Sequence, residues 1–267
     1  MKIRFMSLGS GSSGNCYYLG TETYGLFIDA GIGIRSIKKI CKEYNLPLET
    51  IKGVFVTHDH ADHIKAVGHL AGKYNIPIYT TPEIHHGMSR SYCMTERISE
   101  ANTRFIHKEE SLQIEDFTIT CFEVPHDGSD NVGYCISIDG KVFSFLTDIG
   151  HITETAGKYI GCANYLILEA NYDESMLQMG PYPAHLKARI GSPTGHMSNR
   201  EMAEYLANHF PEGLQYLWLC HLSKDNNHPD LAFKTVELAL KEKNIIVGRD
   251  VQVIPLKRTS PSEIYSL

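Results

Sequence analysis

No stretch of this chain approaches the roughly 18 consecutive apolar residues that a membrane-crossing helix needs, so no helical membrane span is expected. The N-terminus also lacks the apolar core of a signal peptide, because Met1-Lys2-Ile3-Arg4-Phe5 passes within a few residues into a Gly/Ser loop. A cytoplasmic location is the expectation. There is no C-x-x-C pair, and the seven cysteines (Cys16, Cys41, Cys93, Cys121, Cys135, Cys162, Cys220) are scattered and odd in number. That argues against a disulfide framework or zinc ribbon, and for reduced thiols that mostly fill core space. Positive charge is not in excess: 25 Lys and Arg stand against 31 Asp and Glu, a net −6. General attraction to polyanions is therefore excluded, and a nucleic acid would have to be held by a local basic patch and by bound metals. Repeats and low-complexity linkers are absent too. With 42% hydrophobic and 21% charged residues over 267 positions, the chain has the make-up of a globular protein with a full core. One domain over residues 1–267 is expected, with a short tail after about Leu256.

What is present is concentrated in Thr57-His58-Asp59-His60-Ala61-Asp62-His63, directly after the apolar run Gly53-Val54-Phe55-Val56. That run reads as a short buried strand. The following Ile64–Ala71 has apolar residues at helical spacing, so the cluster sits where a strand hands over to a helix, the usual place for chemistry in open α/β sheets. Imidazole nitrogens and carboxylate oxygens suit first-row divalent metals. An H-x-H-x-D-H spacing offers His58 and His60 to one ion, and Asp62 with His63 to a neighbour. A merely solvated turn would draw instead on Gly, Asn, Ser and Pro.

Along the rest of the chain, β and α signals alternate. Gly9-Ser10-Gly11-Ser12-Ser13-Gly14-Asn15 matches G-x-G-x-x-G, but the aromatic, β-like Cys16-Tyr17-Tyr18-Leu19 that follows does not open a helix. A polar turn, with backbone N–H groups available to an anion, is expected rather than a dinucleotide site. Leu26-Phe27-Ile28 reads as a strand ending in Asp29, which either braces the metal loop or caps a turn. Strands are expected over Ile76–Thr80, Phe117–Val124, Gly133–Ile138, Val142–Leu146, Tyr165–Glu169 and Tyr216–His221, with a helix near Glu83–Ser91. His69, His85, His86 and His107 fall in these stretches and are read as surface or core residues. Four chemistry-bearing side chains fall at strand ends: His126 after Pro125, Asp148, Glu169 and His221. A carboxylate at the Asp148 position is able to bridge two cations. Gly195-His196 precedes a helix whose Ser198 and Glu201 have capping-box spacing, and Pro229 suits the first turn of the last helix.

The ordered set His58-x-His60-x-Asp62-His63, then His126, Asp148 and His221, resembles the metallo-β-lactamase superfamily over almost the whole chain. The resemblance implies an α/β fold, an αββα four-layer sandwich with the ligands along one sheet edge. It implies two divalent metal ions (Zn, Mn or Fe): His58, His60 and His126 on one, Asp62, His63 and His221 on the other, with Asp148 between them. The cysteine that secreted lactamases place at the Asp148 position, and the glutamate that flavodiiron oxidoreductases place at the His60 position, are both missing here. A glutamate after a strand and a histidine at a helix start, Glu169 and His196, are similar to the pair of the phosphodiesterase branch. Asp62, His196 and Glu169 are then the catalytic residues.

More closely, Ser10-Gly11-Ser12-Ser13-Gly14-Asn15, Gly195-His196-Met197-Ser198-Asn199 and His221-Leu222-Ser223-Lys224-Asp225-Asn226-Asn227 resemble the YycJ/WalJ (VicX) group, with Met197 where leucine is expected. The group implies a metal-dependent DNA exonuclease that uses a hydroxide held between the metals, with His196 as the acid for the leaving oxygen. Ser12, Ser13, Asn15, Ser198, Asn199, Asn226 and Asn227 are the substrate-binding candidates. For Asn226 and Asn227 a helix-capping role is equally open. Lys187, Arg189 and Arg200 form either the basic patch or a solvated charged face. The alternatives are an RNA-directed nuclease, a glyoxalase II-like thioester hydrolase, which adds a C-terminal helical region not seen here, and a non-catalytic metal-stabilised binding module, which would have no use for His196 and Glu169. A nucleic-acid substrate, most readily DNA, is the expected partner.

Overall fold

A computed structural model describes all 267 residues. Its contacts divide the chain into two compact units, Met1–Glu110 with Gly128–Asp130 and Lys257–Leu267, and Ser111–Asp127 with Asn131–Leu256. No helix is long and apolar enough to cross a membrane.

The first unit is built on a seven-stranded sheet. Six of its strands are β1 (Arg4–Gly9), β2 (Cys16–Gly20), β3 (Gly25–Ile28), β4 (Ile51–Phe55), β5 (Ile78–Thr80) and β6 (Thr103–Phe105), and the seventh comes from the end of the chain. The second sheet also has seven: β7 (Ser111–Ile114), β8 (Phe117–Glu123), β9 (Val132–Ile138), β10 (Lys141–Leu146), β11 (Tyr165–Glu169), β12 (Tyr216–Cys220) and β13 (Gln252–Pro255). The expected tail after Leu256 returns to the first unit, where β14 (Tyr265–Ser266) pairs antiparallel with β1. In each sheet an antiparallel meander gives way to parallel strands, at β3/β4 in the first and at β10/β11 in the second. The inner parallel strands bury their apolar runs, Val54-Phe55, Leu166-Ile167-Leu168 and Leu217-Trp218-Leu219, whereas the outer β6 and β13 are partly exposed. Each such side chain contributes about 1.5–3 kcal/mol on leaving water.

Helices α1 (Ile34–Glu43), α2 (Ala61–Ile64), α3 (Val67–Tyr74) and α4 (Pro82–Arg90) belong to the first unit. The second holds α5 (Glu154–Gly161), α6 (Glu174–Met179), α7 (Ala184–Ile190), α8 (Asn199–Asn208) and α9 (Pro229–Glu242). Helices α5, α8 and α9 supply Ala156, Ile160, Met202, Leu206, Val236 and Leu240 to one core with the strands of their sheet. The one helix expected over Ile64–Ala71 is two. The backbone N–H of Ala66 donates to the carbonyl of Ala30 (2.8 Å) rather than continuing the first turn. The Gly-rich stretch before Cys16 is the turn of an antiparallel hairpin, β1 to β2, with no helix behind it. Ser198 caps α8 in a full capping box, and Pro229 opens α9 behind a His228 cap.

Candidate active site

In the first unit the His58–His63 loop leaves β4 and turns into α2, with His60 as the residue before the helix. Its anchor is Asp29, fully buried at the exit of β3. One carboxylate oxygen accepts the backbone N–H of Thr57 (2.8 Å) and the other accepts Nδ1–H of His63 (2.7 Å). The Thr57 hydroxyl donates to the same carboxylate (2.9 Å) and lies 3.0 Å from His58 Nδ1. These bonds settle the open reading of Asp29: it braces the loop. They also assign the His63 proton to Nδ1 and leave Nε2 as the basic nitrogen, the second-sphere arrangement that raises an imidazole's ligand strength. Burial pushes the Asp29 carboxyl above its ordinary range, and its contacts to His63 and Thr57 offset only part of that.

His58 Nε2 and His60 Nδ1 face each other at 3.1 Å, and the His58 and His63 rings are 4.0 Å apart. Asp62 brings a carboxylate oxygen to 3.6 Å from His63 Nε2. Behind the loop, Asn15 donates its amide to His63 Nε2 (2.9 Å) and its backbone N–H to the Asp62 carbonyl (2.7 Å). Gly31 has to be glycine, because a Cβ there would fall 1.5 Å from the Asp62 carbonyl oxygen.

In the second unit the ends of β8, β10, β11 and β12 supply His126, Asp148, Glu169 and His221. All four are buried. His126 Nδ1 donates to the Gly195 carbonyl (2.8 Å), so Nε2, 3.5 Å from Asp127 and 3.6 Å from Asp148, is the nitrogen it offers to a ligand. His221 adopts a left-handed backbone (φ 52°) directly after β12. Its Nδ1 lies 2.9 Å from Glu169 and 3.3 Å from Asp148.

Glu169 is the hub. One oxygen accepts from His196 Nδ1 (2.7 Å) and His221 Nδ1, and the other accepts the backbone N–H groups of Ile149 (2.9 Å) and Met197 (3.2 Å). Burial alone would raise its pKa, but the His196 charge and the bonds to both histidines hold it below the ordinary value. Burial likewise tends to lower the His196 pKa, and Glu169 and Asp148 more than reverse that, so His196 is held as a better base than usual. For His126 burial dominates and the pKa falls, leaving it neutral and able to ligate. Donor atoms of Asp148, Glu169, His196 and His221 lie within 4.8 Å of one another. Each unit thus presents the oxygen and imidazole-nitrogen donors that a divalent ion of the zinc, manganese or iron kind accepts.

The other candidates separate by burial. Ser12 and Ser13 are exposed on the hairpin turn. Asn15, Ser198, Asn199, Asn226 and Asn227 are buried. The Asn227 amide donates to the carbonyls of Ala170 (2.8 Å) and Asn171 (3.0 Å) and pairs with Asn199, so it ties the β11 and β12 exits together and does not cap α9. Arg189 is bonded to Asp127 (2.6 Å), Arg200 to Glu174 (3.0 Å), and Lys187 to the carbonyl of Gln178. The basic-patch reading of these three therefore gives way to paired surface charges. Sequence reasoning missed Asn171, which donates to the His221 carbonyl (2.8 Å), and Thr57 as a link between Asp29 and His58. An Asx or hydroxyl residue beside a ligand is a weak signal on its own.

Residues 25–216 match the family model of the beta-lactamase superfamily domain. The chain belongs to the metallo-β-lactamase superfamily of hydrolases, and its α/β fold is that superfamily's αββα type. Along 265 residues it is 32% identical to the exodeoxyribonuclease YycJ of Bacillus anthracis, covering 99% of both chains. It is 32% identical over 251 residues to the exodeoxyribonuclease WalJ of Streptococcus pneumoniae (strain D39), covering 94% of this chain and 93% of that one. Among solved structures, the metallo-β-lactamase fold protein YhfI of Bacillus subtilis superposes with a TM-score of 0.71 at 19% identity, over 100% of this chain and 99% of the other.

Proposed function

We propose that this chain is a metal-dependent phosphodiesterase that degrades DNA from an end. The observation that carries the DNA-exonuclease reading is the 32% identity to an exodeoxyribonuclease across 99% of both chains. We read the two units as halves of one functional domain, since the family model runs through both. His58, His60 and His126 are assigned to one ion, Asp62, His63 and His221 to a second, and Asp148 to both. Two divalent ions bound there would supply an activated water and neutralise the charge of the phosphoryl group.

The remaining need is a proton for the departing sugar oxygen. His196 is suited to give it: Glu169 takes its Nδ1–H at 2.7 Å and keeps the imidazolium favourable inside a buried site, which leaves Nε2–H for the substrate. Asp29 and Glu169 hold their imidazoles in the ligating or donating tautomer. Asp62 completes the catalytic set as both ligand and orienting carboxylate, and Ser12 and Ser13 remain as candidates to meet the substrate.

The test is incubation of protein loaded with Mn²⁺ or Zn²⁺ with end-labelled single- and double-stranded DNA and RNA, alongside elemental analysis. Mononucleotides released progressively from one DNA end, by protein carrying two ions per chain, is the expected result. No cleavage of any DNA, or folded protein that takes up at most one ion in excess metal, would overturn the reading.

A further inference from the structure

Asp59 is the one acidic residue of the ligand loop that the metal assignment does not use. Its carboxylate is committed elsewhere. One oxygen accepts the backbone N–H of Ser129 at 3.0 Å, and the other accepts the Ser129 hydroxyl at 2.6 Å. Both oxygens serve one residue, so Asp59 is not a further metal ligand.

The contact is built for, not incidental. Gly87 on α4 stands where a Cβ would come within 2.0 Å of Asp59 Oδ2 and 2.6 Å of Ser129 Oγ, so only glycine leaves room for the pair. The next residue, Asp130, is seated on the same helix, where the Thr81 hydroxyl at the start of α4 donates to it (2.8 Å) and Lys108 pairs with it (2.6 Å). Gly128–Asp130 accordingly belongs to the first unit although the chain on either side belongs to the second.

Ser129 lies three residues past His126. A short polar segment that starts with glycine has many conformations, and it stays put only if its anchors outweigh the entropy of ordering it. We propose that Asp59 is a positioning residue: by clamping Ser129 it fixes the segment behind His126, and thereby the placing of His126 as a metal ligand. This rests on the metal assignment proposed above. Asp59 touches no reacting atom and acts only through His126. Outer residues that orient ligands typically change metal affinity by 10- to 100-fold.

The experiment compares wild type with Asp59→Ala, Asp59→Asn, Ser129→Ala and Gly87→Ala. Zn²⁺ affinities are read by titration against a competing chelator, hydrogen exchange of residues 126–131 is read on metal-free protein, and Tm is read for each. Asp59→Ala should weaken one of the two ions by ~10- to 100-fold, speed exchange of the Ser129 amide, and leave the other ion and the metal-free Tm unchanged. Gly87→Ala should reproduce this, and Asp59→Asn, which keeps an acceptor for the amide and a donor for the hydroxyl oxygen, should recover most of the affinity. Unchanged affinities in Asp59→Ala, or equal weakening of both ions with a lowered Tm, would overturn the proposal. Wild-type protein that binds no metal would overturn the metal assignment itself, and that result is seen before any variant is compared.

Discussion

Each unit uses one buried carboxylate to hold imidazoles, but the two carboxylates are loaded differently. Asp29 serves a single histidine, His63, together with the hydroxyl and amide of Thr57, and its pKa is raised because burial outweighs those contacts. Glu169 serves His196 and His221 and two backbone amides, and its pKa is lowered because the paired histidines outweigh the same penalty. Taking a carboxylate out of water costs several kcal/mol unless partners compensate. At Asp29 the contacts to His63 and Thr57 offset that cost only in part, and at Glu169 the two histidines outweigh it. The first unit's carboxylate thus orients one imidazole of the ligand loop, and the second unit's holds His196 as a stronger base beside His221.

The sharpest break in this comparison comes from Asp148, assigned to both ions. Asp148→Ala should lower nuclease turnover by several orders of magnitude while the fold survives, and elemental analysis should find metal lost or misplaced. Near-normal turnover in that variant would end the shared-ligand assignment.

Next comes the acid. His196→Ala should reduce turnover on DNA by about 10²- to 10⁴-fold without displacing metal, and much less on a nitrophenyl phosphodiester, whose leaving oxygen needs no proton. Equal losses on the two substrates would make His196 a structural or ligating residue.

The carboxylates themselves can be set against each other. Asp29→Asn should weaken metal binding by roughly 10- to 100-fold and leave the ratio of DNA to nitrophenyl activity unchanged. Glu169→Gln should weaken metal binding to a similar degree and also lower that ratio, because it unsettles His196 as well as His221. If the two variants share one profile, the different loading of the carboxylates has no functional meaning.

A smaller effect is expected from Asn227→Ala, which leaves the Ala170 carbonyl without its donor and the Asn171 carbonyl with the Ser223 N–H alone. Denaturant unfolding should show a loss of about 1–3 kcal/mol, with metal affinity barely changed. The smallest effect concerns reactivity only. The hydrogen bond from Cys135 holds the exposed Cys162 thiol below its ordinary pKa. The thiolate fraction grows as pH rises, so native protein should alkylate first at Cys162, with a rate that climbs at lower pH than for a free cysteine. First labelling at Cys93 would refute this.

The ligand loop was legible because all its signals are local: an apolar strand, a dense run of imidazole and carboxylate, then helical spacing. The second unit's groups lie far apart, and only their common place at strand ends marked them, a pattern that survives because parallel strands put successive ends on one side. The capping box at Ser198 and the proline opening α9 were equally readable, since a cap is made within four residues. The short strands β6, β7, β13 and β14 and helices α5, α6 and α7 carry too little periodicity to stand out.

By itself, then, the sequence determined which chemical groups the site offers and that they sit at element ends. Only the tertiary structure decided their partners. Register aligns Glu169 with Cys220 in parallel pairing, which sets the His221 ring against a carboxylate 52 residues away. The same long-range packing binds Arg189 and Arg200 to acidic neighbours, buries Asn15 and Asn227 as braces, and breaks the expected helix at Ala66. Composition cannot encode such pairings, because a side chain's partner depends on which strands lie adjacent and at what register, and both are settled by burial of the whole core.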